Sequence, residues 1–309
     1  MPRRPNFFIV GAPKCGTTSM NDSLAQHPDI FMSPMKEPYF FGSDLDIGAA
    51  WRVTDERKYL KLFEDARDEK RVGEASVWYL YSKMAAEEIH RFEPEAKIVV
   101  MIRDPVDVVR SLHWQQVTAG NEPMTDLGEA LSAEPDRAEG RRLPARCVMP
   151  SGLLYRRIAD FAPQIERMFG VFGRESVHVV LFDDLKRDTL GTYRKLLGFL
   201  NVDPSFEPGL ARQNEARRLR NAPVRQMLRR HAWLSKSLNR LPLGLRGLIG
   251  NQLSRVYGEQ QPDARIEPSL HARLCEELRP GVDRLEELLG VDLRGWCRPN
   301  GQGPASEID

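Results

Sequence analysis

Four apolar residues, Phe7 to Val10, run directly into GAPKCGTTS at 11–19, and an amphipathic stretch with helical spacing follows. A strand that enters a glycine-bounded loop and then a helix start aims several backbone N–H groups, and the positive end of the helix dipole, at one point. That arrangement holds phosphate. Lys14 lies inside the loop itself, so its ammonium adds to the same positive point.

The loop resembles a Walker loop, G-x-x-x-x-G-K-[ST], at both glycines, Gly11 and Gly16. It departs where a nucleotide triphosphatase carries lysine after the second glycine: Thr17 stands there. Along the first two hundred residues, short β-branched or aromatic runs alternate with helical stretches, the pattern of crossover units building a parallel sheet. Strands are expected at 6–10, 30–32, 71–74, 97–102 and 177–182. KIVVMI at 97–102 is apolar at five successive positions, as a central strand covered on both faces requires. Helices are expected at about 17–27, 56–65, 82–92, 105–119, 152–169 and 189–200. The last third reads as helical, over 222–240, 244–256 and 269–289, with Pro280-Gly281 interrupting the last stripe of leucines. The fold class is therefore α/β, a P-loop-type three-layer fold with a central parallel sheet flanked by helices and a helical C-terminal third.

With 309 residues, 41% of them hydrophobic, the chain can bury a substantial core, and neither disorder nor a fibrous protein fits. No internal repeat or Gly/Ser-rich linker divides it, so one domain over 1–309 is expected. Forty-five Lys and Arg against 44 Asp and Glu leave a formal net charge of +1, which argues against nucleic acid or an anionic membrane as partner. Any anion must be gripped locally. The run Phe7 to Val10 is too short for a signal-peptide core or a membrane span, so a cytoplasmic protein with no integral membrane segment is the expectation. Cysteines at 15, 147, 275 and 297 lack CxxC spacing and the six histidines form no HxxxH or HExxH, so neither a disulfide framework nor a metal site is expected.

Two stretches read as irregular. Residues 120–151 are rich in Gly, Pro and charge around one short helix at 126–133, and suggest a long loop beside the carboxyl edge of the sheet. Arg137, Arg141, Arg142 and Arg146 in it hint at an anionic acceptor. Residues 203–221 carry Arg212, Arg217, Arg218 and Arg220, with Arg225 just outside.

A second anion element follows KIVVMI. Arg103-Asp104-Pro105 ends the strand, and Ser111 comes eight residues after Arg103. An arginine at the strand end and a serine two turns into the next helix can converge on one anion, because Pro105 at the first helical position fixes where that helix starts. Arginine offers a planar fork suited to a phosphate dianion. Taken alone, the pattern reads better as an Arg-Asp turn and a surface serine.

Together, PKCGTTS, the segment HPDIFMSPMKEPYFF and R-D-P-x₅-S resemble the sulfotransferases that use 3′-phosphoadenosine 5′-phosphosulfate (PAPS). The resemblance implies that Pro13, Lys14, Cys15, Gly16, Thr17 and Thr18 bind the 5′-phosphosulfate and that Arg103 and Ser111 bind the 3′-phosphate. KEPYFF at 36–41 is similar to the K-E-x-x-F-F segment of the carbohydrate and heparan-type branch, whose glutamate is the catalytic base, here Glu37. GEASVWYLYS at 73–82, VHVVLFDDL from Val177, and LEELLGVDLRGW at 285–296 extend the likeness over most of the chain. RLRNAPVRQML at 218–228 resembles the basic segment that closes over the nucleotide, with Arg220 the best-aligned residue. The chain departs from the family at Val108, where many members carry arginine, at Val77, in place of a proline, and at Ala75, in place of a heparan-type lysine.

Implied with that resemblance is transfer of a sulfuryl group from PAPS, as co-substrate and without a metal, to a hydroxyl or amine of a saccharide, lipid or small metabolite. Lys14 would donate to the bridging oxygen, and Glu37 would take the acceptor's proton, its pKa raised by burial near Phe40, Phe41 and Trp78. His113, two residues beyond Ser111, is a rival base, although about 200° round the helix from that serine. Two alternatives stand beside this reading. A P-loop small-molecule kinase would place a magnesium carboxylate directly after VVMI, where Arg103 comes first; a silent nucleotide-binding scaffold should lack Lys14 or Glu37.

Overall fold

In the computed structural model, which describes residues 3–145, 147–209 and 266–297, the expected apolar runs become the strands of one sheet. The chain forms β1 (Phe7–Gly11), α1 (Thr17–Leu24), β2 (Ile30–Met32), α2 (Glu56–Lys61), β3 (Arg71–Ala75), α3 (Ala85–Phe92), β4 (Lys97–Ile102) and α4 (Pro105–Ala119). It continues with α5 (Leu127–Ser132), α6 (Glu134–Ala138), α7 (Tyr155–Ala159), α8 (Phe161–Phe172), β5 (Val177–Leu181), α9 (Phe182–Arg187), α10 (Thr189–Phe199) and α11 (Pro268–Leu289).

The sheet has five strands in the order β2-β3-β1-β4-β5, and every pairing is parallel. β1 therefore lies at its centre. Phe7 to Val10 and Ile98 to Ile102 are fully buried, each side chain contributing about 1.5–3 kcal/mol through removal from water. Phe7 pairs in register with Gly73, where a Cβ would lie 2.2 Å from the Phe7 ring, so β3 carries a glycine there for lack of space. Because all strands run the same way, the loops that follow β1, β3, β4 and β5 emerge along one carboxyl edge. Ligands of open α/β sheets bind at that edge, where the strand order reverses.

Helix α4 matches its expected span because polar punctuation fixes both ends. Asp104 accepts from the amides of Val106 at 2.9 Å and Asp107 at 3.4 Å, Pro105 takes the first position, and Gly120 closes the helix with φ 77°. The helix expected from 82 begins at Ala85, since the Ser82 hydroxyl accepts from the Ala85 amide at 2.9 Å.

Elsewhere tertiary packing overrides the sequence pattern. The single helix expected over 152–169 is a short 3-10 turn, Pro150–Leu153, followed by α7 and α8, which part at Asp160. Phe182 is the first residue of α9 rather than the last of a strand. Helix α11 runs unbroken through Pro280, correcting the expected interruption. Buried Leu274, Leu278, Val282 and Leu285 hold it in place, and a Cβ on Gly281 would come within 2.9 Å of Asp160 Oδ1. Residues 120–151 carry two short helices, α5 and α6, instead of one helix in a long loop. Among the described residues no helix is long and apolar enough to cross a membrane. The helices expected at 222–240 and 244–256 lie outside them.

Candidate active site

At the centre of the carboxyl edge, β1 passes into the 12–16 loop. Lys14 sits at φ 66° and Gly16 at φ 84°, so the chain reverses twice before α1 begins at Thr17. Gly16 is required on two counts. Left-handed backbone disfavours a side chain, and a Cβ would lie 2.9 Å from the ring of Phe182. The first helical bond runs from Met20 N–H to the Gly16 carbonyl at 3.1 Å, which leaves the Thr17 and Thr18 amides at the open end of the helix. Cys15 is buried, and its thiol faces the Pro13 carbonyl at 3.4 Å. Burial pushes that thiol up to about 12 against the pull of the Arg103 and Lys14 charges, so Cys15 stays protonated and its backbone is what it offers the loop.

Arg103 emerges from the neighbouring strand β4. Its guanidinium pairs with Asp107 and lies 4.9 Å over the Phe182 ring, while its Nε is buried without a hydrogen-bond partner. Arg110 pairs with the other oxygen of Asp107 at 3.1 Å, and its Nε is likewise unsatisfied. Asp107 is thus an internal anion between two guanidinium groups. Buried Ser111 follows Asp107 one turn later on the same face of α4. Phe182 connects the parts, touching the Gly16 position and lying beneath both Arg103 and Lys186. Its signal in the sequence was the aromatic ending the run VHVVLF, which also suits a buried strand.

On the other side of β1, residues 33–37 run beside β3, with Ser33 N–H bonded to the Gly73 carbonyl at 2.8 Å and Glu37 N–H to the Ala75 carbonyl at 2.9 Å. Glu37 and Tyr39 both adopt positive φ, 63° and 48°, so the segment turns sharply around the carboxylate. Lys36 Nζ lies 2.8 Å from Glu37 Oε1, and the Tyr39 hydroxyl donates to Oε2 at 2.7 Å. The side chain keeps 33% of its exposure, enough for an acceptor to reach it. Burial pushes the carboxyl up, but the Lys36 ammonium, the Tyr39 hydroxyl and the Lys14 charge outweigh it and hold Glu37 below its ordinary value of 4.5. The expectation of a raised pKa is therefore corrected: Glu37 is an ionised carboxylate at neutral pH.

Burial does raise the carboxyl of Glu74, on β3. Fully buried, it is pushed up to about 7, while Ser76, Tyr79 and Tyr59 pull it down and Glu37 pushes it further up. The sequence signal was an acidic residue inside the apolar strand RVGEA.

His113 lies away from Glu37. Its Nε2 is 2.9 Å from the Met124 carbonyl, its ring packs edge-on to Tyr155, and burial lowers its pKa. Three of the arginines of 120–151 pair with carboxylates of the same stretch. Arg137 is buried in a two-pronged pair with Glu122, at 2.7 and 2.8 Å, and Tyr155 donates to the same carboxylate at 2.9 Å. Arg141 and Arg142 pair with Asp136 at 2.7 and 3.6 Å. Arg146 and Arg220, with the 218–228 segment, lie outside the described residues. The segment after α11 returns to the edge: Trp296 donates its indole N–H to Asp183 Oδ2 at 2.8 Å, and the Cys297 amide bonds Asp104 Oδ2 at 2.8 Å.

A family model described as the sulfotransferase domain matches residues 4–230. The chain belongs to the sulfotransferase family. Among relatives of this sulfotransferase, mouse carbohydrate sulfotransferase 15 is 27% identical over 258 residues, covering 66% of this chain and 45% of that protein. The chain therefore spans less than half the length of that relative. Human heparan sulfate glucosamine 3-O-sulfotransferase 6 is 24% identical over 299 residues, 95% of this chain and 74% of the relative. The crystal structure of a sulfotransferase from Alicyclobacillus acidocaldarius superposes with a TM-score of 0.72 at 31% identity, covering 96% of this chain and all of that one.

Proposed function

We propose that this sulfotransferase carries a sulfuryl group from PAPS to a hydroxyl or amine acceptor, with a saccharide hydroxyl favoured by the carbohydrate and heparan sulfate enzymes among its relatives. One observation carries the reading. The glycine-bounded 12–16 loop opens onto the free N-terminus of α1 at the carboxyl end of central strand β1, between β4, which delivers Arg103, and β3, along which the Glu37 segment runs.

The Thr17 and Thr18 amides and hydroxyls suit the 5′-phosphate, and Arg103 with Ser111 suits the 3′-phosphate. The buried, unsatisfied Nε of Arg103 is a donor in need of an acceptor, which an incoming phosphate oxygen supplies. PAPS supplies the activated sulfuryl group. In the transfer the acceptor oxygen bonds to sulfur, the sulfur–oxygen bond to the 5′-phosphate breaks, and the acceptor's proton passes to Glu37. Lys14 donates to the departing phosphate oxygen, where negative charge grows. A low-pKa carboxylate is a weak base toward a free alcohol, but the proton becomes acidic as the new bond to sulfur forms, and Glu37 needs only to receive it late. Lys36 and Tyr39 fix the carboxylate's direction while its remaining lone pairs stay available.

The kinase alternative loses its carboxylate. Asp104 caps α4 with one oxygen and accepts from the Cys297 amide with the other, so it is occupied by structure. Incubation with PAPS and a panel of saccharide, lipid and phenolic acceptors, read by mass spectrometry, tests the proposal. Gain of one SO₃ by an acceptor supports it, and phosphorylation from magnesium ATP with no sulfated product refutes it.

A further inference from the structure

Glu74 holds a carboxylate at the centre of the fold that no step above uses. It has no exposure, and three hydroxyl groups converge on it: Tyr59 at 3.0 Å and Tyr79 at 2.9 Å on Oε1, and Ser76 at 2.7 Å on Oε2. Two of these hydroxyls have a second task. Ser76 Oγ accepts from the backbone N–H of Tyr39 at 3.4 Å, and the Tyr79 hydroxyl accepts from that of Phe41 at 3.3 Å. Each hydroxyl has one proton, and Glu74 takes it, so the oxygen lone pairs are turned toward the 39–41 backbone. Tyr59 differs. It gives its proton to the same Oε1, and its ring stacks on Phe40 at 4.3 Å, but its hydroxyl receives no amide from that segment.

We infer that Glu74 is a positioning residue for the transfer reaction, orienting Ser76 and Tyr79 so that they pin the backbone of residues 39–41 and hold Glu37 in its turned conformation. The inference rests on the reading of Glu37 as the base. Positive φ at Glu37 and Tyr39 is strained for side-chain-bearing residues and persists only where surrounding contacts enforce it. The two amide bonds, with the Glu37–Ala75 bond, are those contacts. In its ionised form Glu74 accepts from all three donors, whereas an amide side chain would present an N–H to one of them. The groups facing Glu74 are Tyr59 from α2, Ser76 and Tyr79 beyond β3, and the charge of Glu37.

The test compares Tyr79→Phe, Ser76→Ala and Tyr59→Phe with the unmodified chain, alongside Glu74→Gln where that variant folds. Steady-state kcat and the KM for PAPS are measured together with amide hydrogen exchange at Tyr39 and Phe41. Positioning predicts that Tyr79→Phe and Ser76→Ala lower kcat about tenfold or more, with donor KM within about twofold, and speed exchange over 39–41. Tyr59→Phe, which removes a donor from the same oxygen, should leave kcat within about twofold. Equal losses in the two tyrosine variants, or full turnover in Tyr79→Phe, would overturn the positioning role while leaving the base intact. No transfer by the unmodified chain would instead remove the reading of Glu37, and this inference with it.

Discussion

Tyr39 donates its hydroxyl to Glu37 Oε2 at 2.7 Å from only two residues away, a reach made possible by left-handed backbone at both positions. With Lys36 on the other oxygen, the pair sets the protonation state of the candidate base. Because the folded pKa is depressed, Glu37 is charged at neutral pH and loses its charge only as pH falls through that depressed value. Tyr39→Phe removes one stabilising donor, so the acid limb of the kcat profile should move to higher pH. Glu37→Gln should abolish most turnover while adenosine 3′,5′-bisphosphate still binds. Full turnover in Glu37→Gln would remove it from the mechanism.

Lys14 is expected to act on the transition state more than on binding. Lys14→Ala should lower kcat by about 10²–10³, the usual cost of removing a donor from developing charge. The KM for PAPS should change far less, and equal losses in both would mark Lys14 as a binding residue only.

Gly16 combines positive φ with contact against Phe182, so Gly16→Ala should destabilise the fold by roughly 1–3 kcal/mol. Thermal denaturation measures this. Adding Phe182→Leu should restore part of the loss by making room, while the backbone strain remains. Complete restoration would mean that the ring alone excludes a side chain.

The Glu122–Arg137 pair has no side-chain exposure on either partner, so Glu122→Gln strands a buried guanidinium and should cost about 3–5 kcal/mol. Burial pushes Glu122 up, but Arg137, the Met124 amide and Tyr155 outweigh it and leave the carboxyl below 4.5. Its stabilisation is therefore complete above the ordinary carboxylate value and is lost as pH falls through the depressed one. Urea titrations of both proteins should show a gap at neutral pH that narrows in acid. A gap independent of pH would contradict the assignment of charge.

Much of this frame was legible in the residues, for identifiable reasons. FFIV and the IVVMI of 98–102 are apolar without interruption, as covered strands require, and Asp104-Pro105 with Gly120 punctuates α4 at both ends. The likeness of PKCGTT and R-D-P-x₅-S to one family pointed to the central loop and strand β4, which the sheet order makes neighbours. What stayed hidden depends on partners distant in sequence. Pro280 gives no hint that α11 is held straight by its packing, and Arg137 in a charged stretch gives no hint of Glu122. The state of Glu37 was misjudged because burial was visible in its aromatic neighbours, whereas the direction of the Tyr39 hydroxyl was not. Glu74 took the raised pKa instead, since its partners are neutral hydroxyls rather than an ammonium.

Isothermal titration with adenosine 3′,5′-bisphosphate, set against ATP with magnesium, tests the donor assignment most directly. Arg103, with an unsatisfied buried Nε, stands just before α4, and buried Ser111 lies within that helix. The bisphosphate should bind in preference to ATP. Arg103→Ala should weaken it by about 10- to 100-fold, the worth of a hydrogen bond to a charged group. Preference for ATP with magnesium, or a bisphosphate affinity indifferent to Arg103→Ala, would contradict the account.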